Sequence, residues 1–169
     1  MPHKNNRYVW LGAALLLGST LCQAGDLMRE ERYADITVGN SVATIAQIGA
    51  YNQSRADQSG ASQRLAQTQD GRRNWSVITQ SGANNSVTSQ QTGTANTAEV
   101  TQSGRQNQVG VTQNGNGNAA NVVQNGTYNQ AFVGQYGDAN QASVSQNGFG
   151  GTVSITQFGD NMKASASQR

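Results

Sequence analysis

From Ser41 to Gln168 the chain alternates. Asn118, Ala120, Val122 and Gln124 form one set of positions, and Ala119, Asn121 and Val123 the set between them. A period of two is the mark of a β-strand, whose successive side chains point to opposite faces. Twelve such seven-residue stretches follow one another, from Ser41–Gln47 to Met162–Gln168, with four residues between each and the next.

The two middle positions of the Asn-bearing face form the candidate core. On odd strands they are Ala43 and Ile45, Leu65 and Gln67, Val87 and Ser89, Val109 and Val111, Ala131 and Val133, Val153 and Ile155. On even strands they are Ser54 and Ala56, Ser76 and Ile78, Ala98 and Val100, Ala120 and Val122, Ala142 and Val144, Ala164 and Ala166. Even strands keep the first position small throughout, so the structural repeat is two strands and 22 residues. The opposite face is mostly polar, with Trp75, Val77, Val123 and Phe132 as exceptions.

Three columns share the register. Gln recurs every eleventh residue, at Gln47, Gln58, Gln69, Gln80, Gln91, Gln102, Gln113, Gln124, Gln135, Gln146, Gln157 and Gln168. Two residues later stands Gly, at Gly49, Gly60, Gly71, Gly82, Gly93, Gly104, Gly115, Gly126, Gly137, Gly148 and Gly159. Five residues after the Gln is usually Asn, at Asn52, Asn74, Asn85, Asn96, Asn107, Asn118, Asn129 and Asn140. A fixed internal period is the signature of a stacked architecture.

The Gly-containing connections suit a turn that needs positive φ or a close backbone approach. Asn114-Gly115, Asn125-Gly126 and Asn147-Gly148 would also serve hairpins in an antiparallel meander. Only a parallel stack, however, sets Gln over Gln and Asn over Asn at about 4.8 Å. The expected fold is therefore all-β: a cross-β parallel solenoid with two strands per turn and six rungs of 22 residues.

Composition changes the picture at the N-terminus. Lys4 and Arg7 precede an apolar run from Tyr8 to Leu21, and Cys22-Gln23-Ala24 offers small residues for cleavage. This is the pattern of a secretory signal peptide over residues 1–24. Leu21 before Cys22 argues against a lipoprotein box. Removing the signal takes away the one Cys, the one His and the one Pro, and leaves nine basic against nine acidic residues. The basic balance of the whole sequence is thus no argument for nucleic-acid binding. Residues 25–40 form a charged leader, with a short helix tolerated over Leu27–Tyr33 and marginal alone. The leader reads as solvated chain or as a recognition tag for an export or anchoring partner. Residues 41–169 are the repeat domain.

Buried amides are costly unless bonded, and a ladder bonds each to the one above and below. Only end rungs are then unsatisfied. Soluble solenoids blunt such ends with caps, whereas here the repeat runs to Gln168-Arg169. Both ends are expected to be open, and growth end to end into a fibre follows.

The unit in Gln80-Ser81-Gly82-Ala83-Asn84-Asn85 and Gln124-Asn125-Gly126-Thr127-Tyr128-Asn129 resembles the curlin repeat over residues 41–168. Curlins are the secreted subunits of curli, the functional amyloid of bacterial biofilms. The resemblance implies an extracellular fibre at the outer-membrane surface, reached through a dedicated secretion pore with accessory factors. It implies self-association and association with the major curlin subunit, with no nucleic acid, no small-molecule substrate and no cofactor. The charged leader, the Gln168-Arg169 end, and Met162 and Lys163 in the last rung resemble the minor, nucleating curlin. The alternatives are the major fibre-forming curlin and a non-polymerising surface adhesin using Trp75, Tyr128, Phe132 and Tyr136.

Other classes find little support. Asp57, Asp70, Glu99, Asp138 and Asp160 stand singly, without a spacing suited to acid–base catalysis. The nonapeptide of calcium-binding β-rolls is absent, and no unbroken Thr rank suggests ice binding. Neither catalytic nor metal-ligating residues are expected. Arg55, Arg64, Arg72, Arg73, Lys163 and Arg169 are candidate contacts to a membrane surface or partner; the blander reading of the arginines is a solvated end.

Overall fold

The computed structural model describes residues 30–38 and 40–169, with side chains from Asn40 onward. Thirteen strands follow in order. They are β1 (Glu30–Val38), β2 (Ser41–Ala50), β3 (Gln53–Ala61), β4 (Arg64–Arg72), β5 (Trp75–Ala83), β6 (Ser86–Thr94) and β7 (Thr97–Arg105). Then come β8 (Gln108–Asn116), β9 (Ala119–Thr127), β10 (Gln130–Tyr136), β11 (Gln141–Phe149), β12 (Thr152–Phe158) and β13 (Lys163–Gln168).

Strands β2 to β13 wind as six rungs. Even-numbered strands β2 to β12 stack in one sheet, and odd-numbered β3 to β13 in the other. Their pairings are parallel and join residues 22 apart, as Gln69 with Gln91 and Gln80 with Gln102. This is the parallel β-solenoid that the alternation and the columns call for. The core lies between the sheets, where Leu65, Ile78, Val87, Val100, Val109, Val111, Val122, Val133 and Val144 are buried. Each fully buried Val or Leu contributes about 1.5–3 kcal/mol. With one or two small apolar side chains per strand, that core is thin, and the amide columns beside it carry more of the specificity.

Two expectations need correcting. The strands do not stop at Gln. β5 continues through Gln80 and Gly82 to Ala83, and Gly82 pairs in register with Gly60 and Gly104. The corner is instead made two residues past the Gly, by residues with φ of 55–61° that include Tyr51, Ser62, Arg73, Asn84, Ala95, Gln106 and Tyr128. A left-handed conformation costs an L-residue roughly 1–2 kcal/mol. Here it is stabilised by the stack, because the corner N–H bonds a carbonyl of the rung before: Arg73 to Ala50, Asn84 to Ala61, Ala95 to Arg72.

The second correction concerns the leader. Glu30–Val38 is a strand, so the Glu30–Tyr33 part of the expected helix is extended; residues 1–29, with the signal segment and the rest of that helix, lie outside the described residues. β1 pairs antiparallel with β2 over nine residue pairs, from Glu30 opposite Gly49 to Val38 opposite Ser41. The even-numbered sheet is therefore covered at its N-terminal edge, and that end is not fully open. β3 is the edge strand of the other sheet, and β12 and β13 are the edge strands at the far end. Burial follows: Ala43 and Ile45 on β2 are 4% exposed, whereas Ser54, Ala56 and Gln58 on β3 are only partly buried.

Candidate functional site

The Gln residues form two continuous columns, one per sheet. In each, the Nε2 amide donates to Oε1 of the Gln 22 residues later. The first runs from Gln47 through Gln69, Gln91, Gln113 and Gln135 to Gln157. The second runs from Gln58 through Gln80, Gln102, Gln124 and Gln146 to Gln168. The ten donor–acceptor distances are 2.6–3.2 Å. The second Nε2 hydrogen bonds across to the other sheet, as Gln69 to the Gln53 carbonyl and Gln102 to the Ser86 carbonyl. From Gln69 to Gln135 each Gln thus satisfies its amide and ties the two sheets together.

The Asn residues work differently from the expected ladder, because their shorter side chain reaches backbone rather than its own kind. Asn74 Oδ1 accepts the Asn96 backbone N–H at 3.0 Å, and Asn74 Nδ2 donates to the Gly93 carbonyl at 3.0 Å. Asn52, Asn85, Asn96, Asn107, Asn118, Asn129 and Asn140 repeat this two-pronged hold on the following rung. The spacing of Gly and Asn within one unit follows from it: the Gly carbonyl of one rung accepts the hydrogen bond that the Asn of the rung before donates. Gln63 stands where an Asn is expected and substitutes in part, its Oε1 accepting the Asn85 N–H at 3.2 Å. In the last rung the equivalent places are Gly151 and Met162, which have no amide to offer.

The Gly column is sterically closed in the interior. A Cβ on Gly82, at φ 102°, would lie 2.0 Å from the Gly104 carbonyl oxygen. The same contact recurs from Gly49, Gly60, Gly71, Gly93, Gly104, Gly115 and Gly126 to the next Gly of the column, at 1.9–2.1 Å. Gly137 has Gly159 O at 2.3 Å, while around Gly148 and Gly159 the nearest atoms stand at 3.7 and 3.8 Å. Close backbone approach is thus the reason for Gly here, with positive φ beside it.

The cationic candidates do not form one surface. Arg55 sits on β3 in an ion pair with Asp57 at 2.8 Å. Arg64 and Arg72 lie on β4 and Arg73 at the corner after it, exposed. Lys163 opens β13 and Arg169 follows it. The two groups are separated by four to five rung spacings, about 20–24 Å at the usual inter-strand distance. Of the aromatic candidates, Trp75 is 54% exposed, Tyr136 stacks on Phe158 at 4.9 Å and Tyr128 meets Phe149 edge-on at 5.4 Å.

One polar defect interrupts the core. Gln67, Ser76 and Ser89 are buried, and among the described residues Gln67 Nε2 and both Ser hydroxyls lack a hydrogen-bond partner. Ser54 donates to Gln67 Oε1 at 2.8 Å. Sequence reasoning identified Gln67 as a core residue but missed β1 and the left-handed corners. Gly39-Asn40 between Ile36-Thr37-Val38 and Ser41-Val42 was the available hairpin signal.

A family model described as the Curlin associated repeat matches residues 68–93, 93–126, 115–148 and 126–159, together spanning more than half of the chain. No curated protein matches the sequence significantly.

Proposed function

The chain belongs to the curlin-repeat family, and from that premise we propose that it is a secreted fibre subunit of curli, serving as the minor subunit that nucleates polymerisation of the major curlin. Curlin-repeat proteins are structural subunits that self-assemble into extracellular fibres, not enzymes. The observation that carries the reading here is the pair of unbroken Gln columns ending at β12 and β13, two parallel edge strands. Gln157 and Gln168 have donors directed onward, while the first-rung Gln residues carry the acceptors at the opposite end, so a solenoid in the same register with a bare first rung continues both ladders. Gln47 to Gln168, Asn52 to Asn140 and the Gly column are the proposed polymerisation residues.

Residues 1–24 act as the export signal, residues 25–40 as the leader, and 41–169 as the assembling unit at the outer-membrane surface. The secretion pore and its accessory factors are the partners in transit. The nucleating role is supported by the charged leader and by Gly151, Met162 and Lys163, which set the last rung apart from the interior. The Arg cluster of the first two rungs, with Lys163 and Arg169, is the proposed contact to the surface or a partner. The full Gln ladder also suits a major subunit.

The test is seeding. Sub-stoichiometric preformed protein should shorten the lag of a monomeric major curlin and yield fibres with a 4.7–4.8 Å reflection. An unchanged lag removes the nucleating role; absence of the reflection from the chain's own aggregates removes the fibre reading.

A further inference from the structure

We infer that β1 is a detachable half-cap that makes assembly one-directional, leaving the β12–β13 face to receive a chain of the same repeat whose first rung is uncovered. This rests on the fibre reading above and adds to it a growing end, a blocked end and a class of partner.

Strand direction sets the two ends of the stack apart. Every pairing within the stack is parallel and in register by 22 residues, which is what lets Gln meet Gln at each rung. β1 is antiparallel, so it aligns with β2 at one position of the ladder, where Arg32 lies opposite Gln47. It offers no Gln to the column and no parallel template to an incoming strand. Its register also sets Ala34, Ile36 and Val38 opposite Ile45, Ala43 and Ser41, whose side chains are buried. Glu30, Glu31, Arg32 and Asp35 give the strand a charged sequence, a common way of blunting a sheet edge against further pairing.

The far end has no such strand among the described residues. β12 and β13 are edges of the same parallel stack. A second copy offering its N-terminal end to that face meets two obstacles at one junction. Its β2 is occupied by β1, and the face itself lacks the Asn hold, because Gly151 and Met162 stand in the Asn places. A related chain with a bare first rung meets only the second. The fold therefore favours starting a fibre of another repeat chain over lengthening a fibre of its own.

Backbone parity supplies a clean test. The N–H groups of Val42 and Gln130 point to the following rung, bonding Gln63 and Gly151 carbonyls. Alternation then directs the N–H of Ser154 on β12 outward. The Gln141 N–H to the Met162 carbonyl does the same for Ser165 on β13. Proline at these two positions blocks the face without removing a bond inside the stack. On β1 the same alternation turns the backbone N–H of Ile36 toward β2 and that of Asp35 away from it.

Three variants of the full chain are compared by lag phase and fibre yield: Ile36→Pro, Asp35→Pro, and the Ser154→Pro/Ser165→Pro pair. A fourth, lacking Glu30–Val38, guards against misfolding of Ile36→Pro. Ile36→Pro and the deletion should self-assemble with a lag several-fold shorter than the parent, with Asp35→Pro unchanged. Parent seeds should shorten the lag of Ile36→Pro monomer several-fold, and Ser154→Pro/Ser165→Pro seeds should not. Equal lags for the parent, Ile36→Pro and the deletion overturn the half-cap. Full seeding by Ser154→Pro/Ser165→Pro overturns the direction. If every chain forms fibres, the fibre reading survives either failure; if none does, that reading falls as well.

Discussion

The interior rungs and the end rungs are built from one repeated unit and differ in what that unit meets. At Gly82 an added methyl group would run into the Gly104 carbonyl at 2.0 Å; at Gly148 the nearest atom is at 3.7 Å. Gln102 is fully buried, with its amide bonded to Gln80, Gln124 and the Ser86 carbonyl. Gln168 is exposed and accepts one bond, from Gln146 at 3.2 Å. The difference teaches that the repeat is not a stabilising motif in itself. It stabilises when another repeat lies on each side, the nearest-neighbour behaviour of stacked proteins. An end rung is an interior rung with half of its interactions unmade.

Substitutions at matched positions should expose this contrast. The largest difference is expected for Gly82→Ala against Gly148→Ala. Both face positive φ, at 102° and 113°, but only the first adds a collision with backbone. Gly82→Ala should lose about 3 kcal/mol or more, and Gly148→Ala about 1 kcal/mol, in denaturant unfolding of the monomer. Equal losses would show that φ, not close approach, dictates the column.

Next in size is Gln102→Ala against Gln168→Ala. Removing Gln102 leaves the Gln80 donor and the Gln124 acceptor unpaired in a buried place, a loss of about 2–4 kcal/mol. Removing Gln168 should cost about 1 kcal/mol or less in the monomer, while slowing the seeding of other chains. A Gln168→Ala chain that seeds as well as the parent would detach the ladder from growth.

The smallest difference is expected between the core defect and the outer face. Ser89→Ala removes a buried hydroxyl without a partner among the described residues and should stabilise the monomer by about 1 kcal/mol. Ser143→Ala, on the outer face of β11, should change nothing measurable. Destabilisation by Ser89→Ala would point to a partner for that hydroxyl.

How much of this was legible in the residues depends on whether the information is local or periodic. The rungs, the core face from Ala43 to Ala166 and the Gln columns follow from period alone, since 22-residue identity in a parallel stack leaves little choice of neighbour. The Asn chemistry was half legible. The column was plain, but that its amide grips the next backbone depends on side-chain length, which places Nδ2 at the Gly carbonyl and not at another Asn. The left-handed corners were hidden because Tyr51, Ser62, Arg73 and Ala95 share no residue type; their conformation is imposed by the stack. β1 was missed for the opposite reason. Its charges spoke for a solvated leader, and Gly39-Asn40 with Ile36 and Val38 spoke, more quietly, for a hairpin.

The Gln columns have one further consequence. Every ladder amide donates in the same sense, from Gln47 to Gln157 and from Gln58 to Gln168. The Asn amides give and take on the same side and largely cancel along the axis. The Gln dipoles add, as peptide dipoles add along a helix. The ladders therefore add a dipole along the axis, its negative end at Gln47 and its positive end at Gln168, beneath the formal charges of the arginines in the first rungs and Lys163 in the last. At contact range, within about 10 Å, that dipole favours meeting donor end to acceptor end over meeting donor end to donor end.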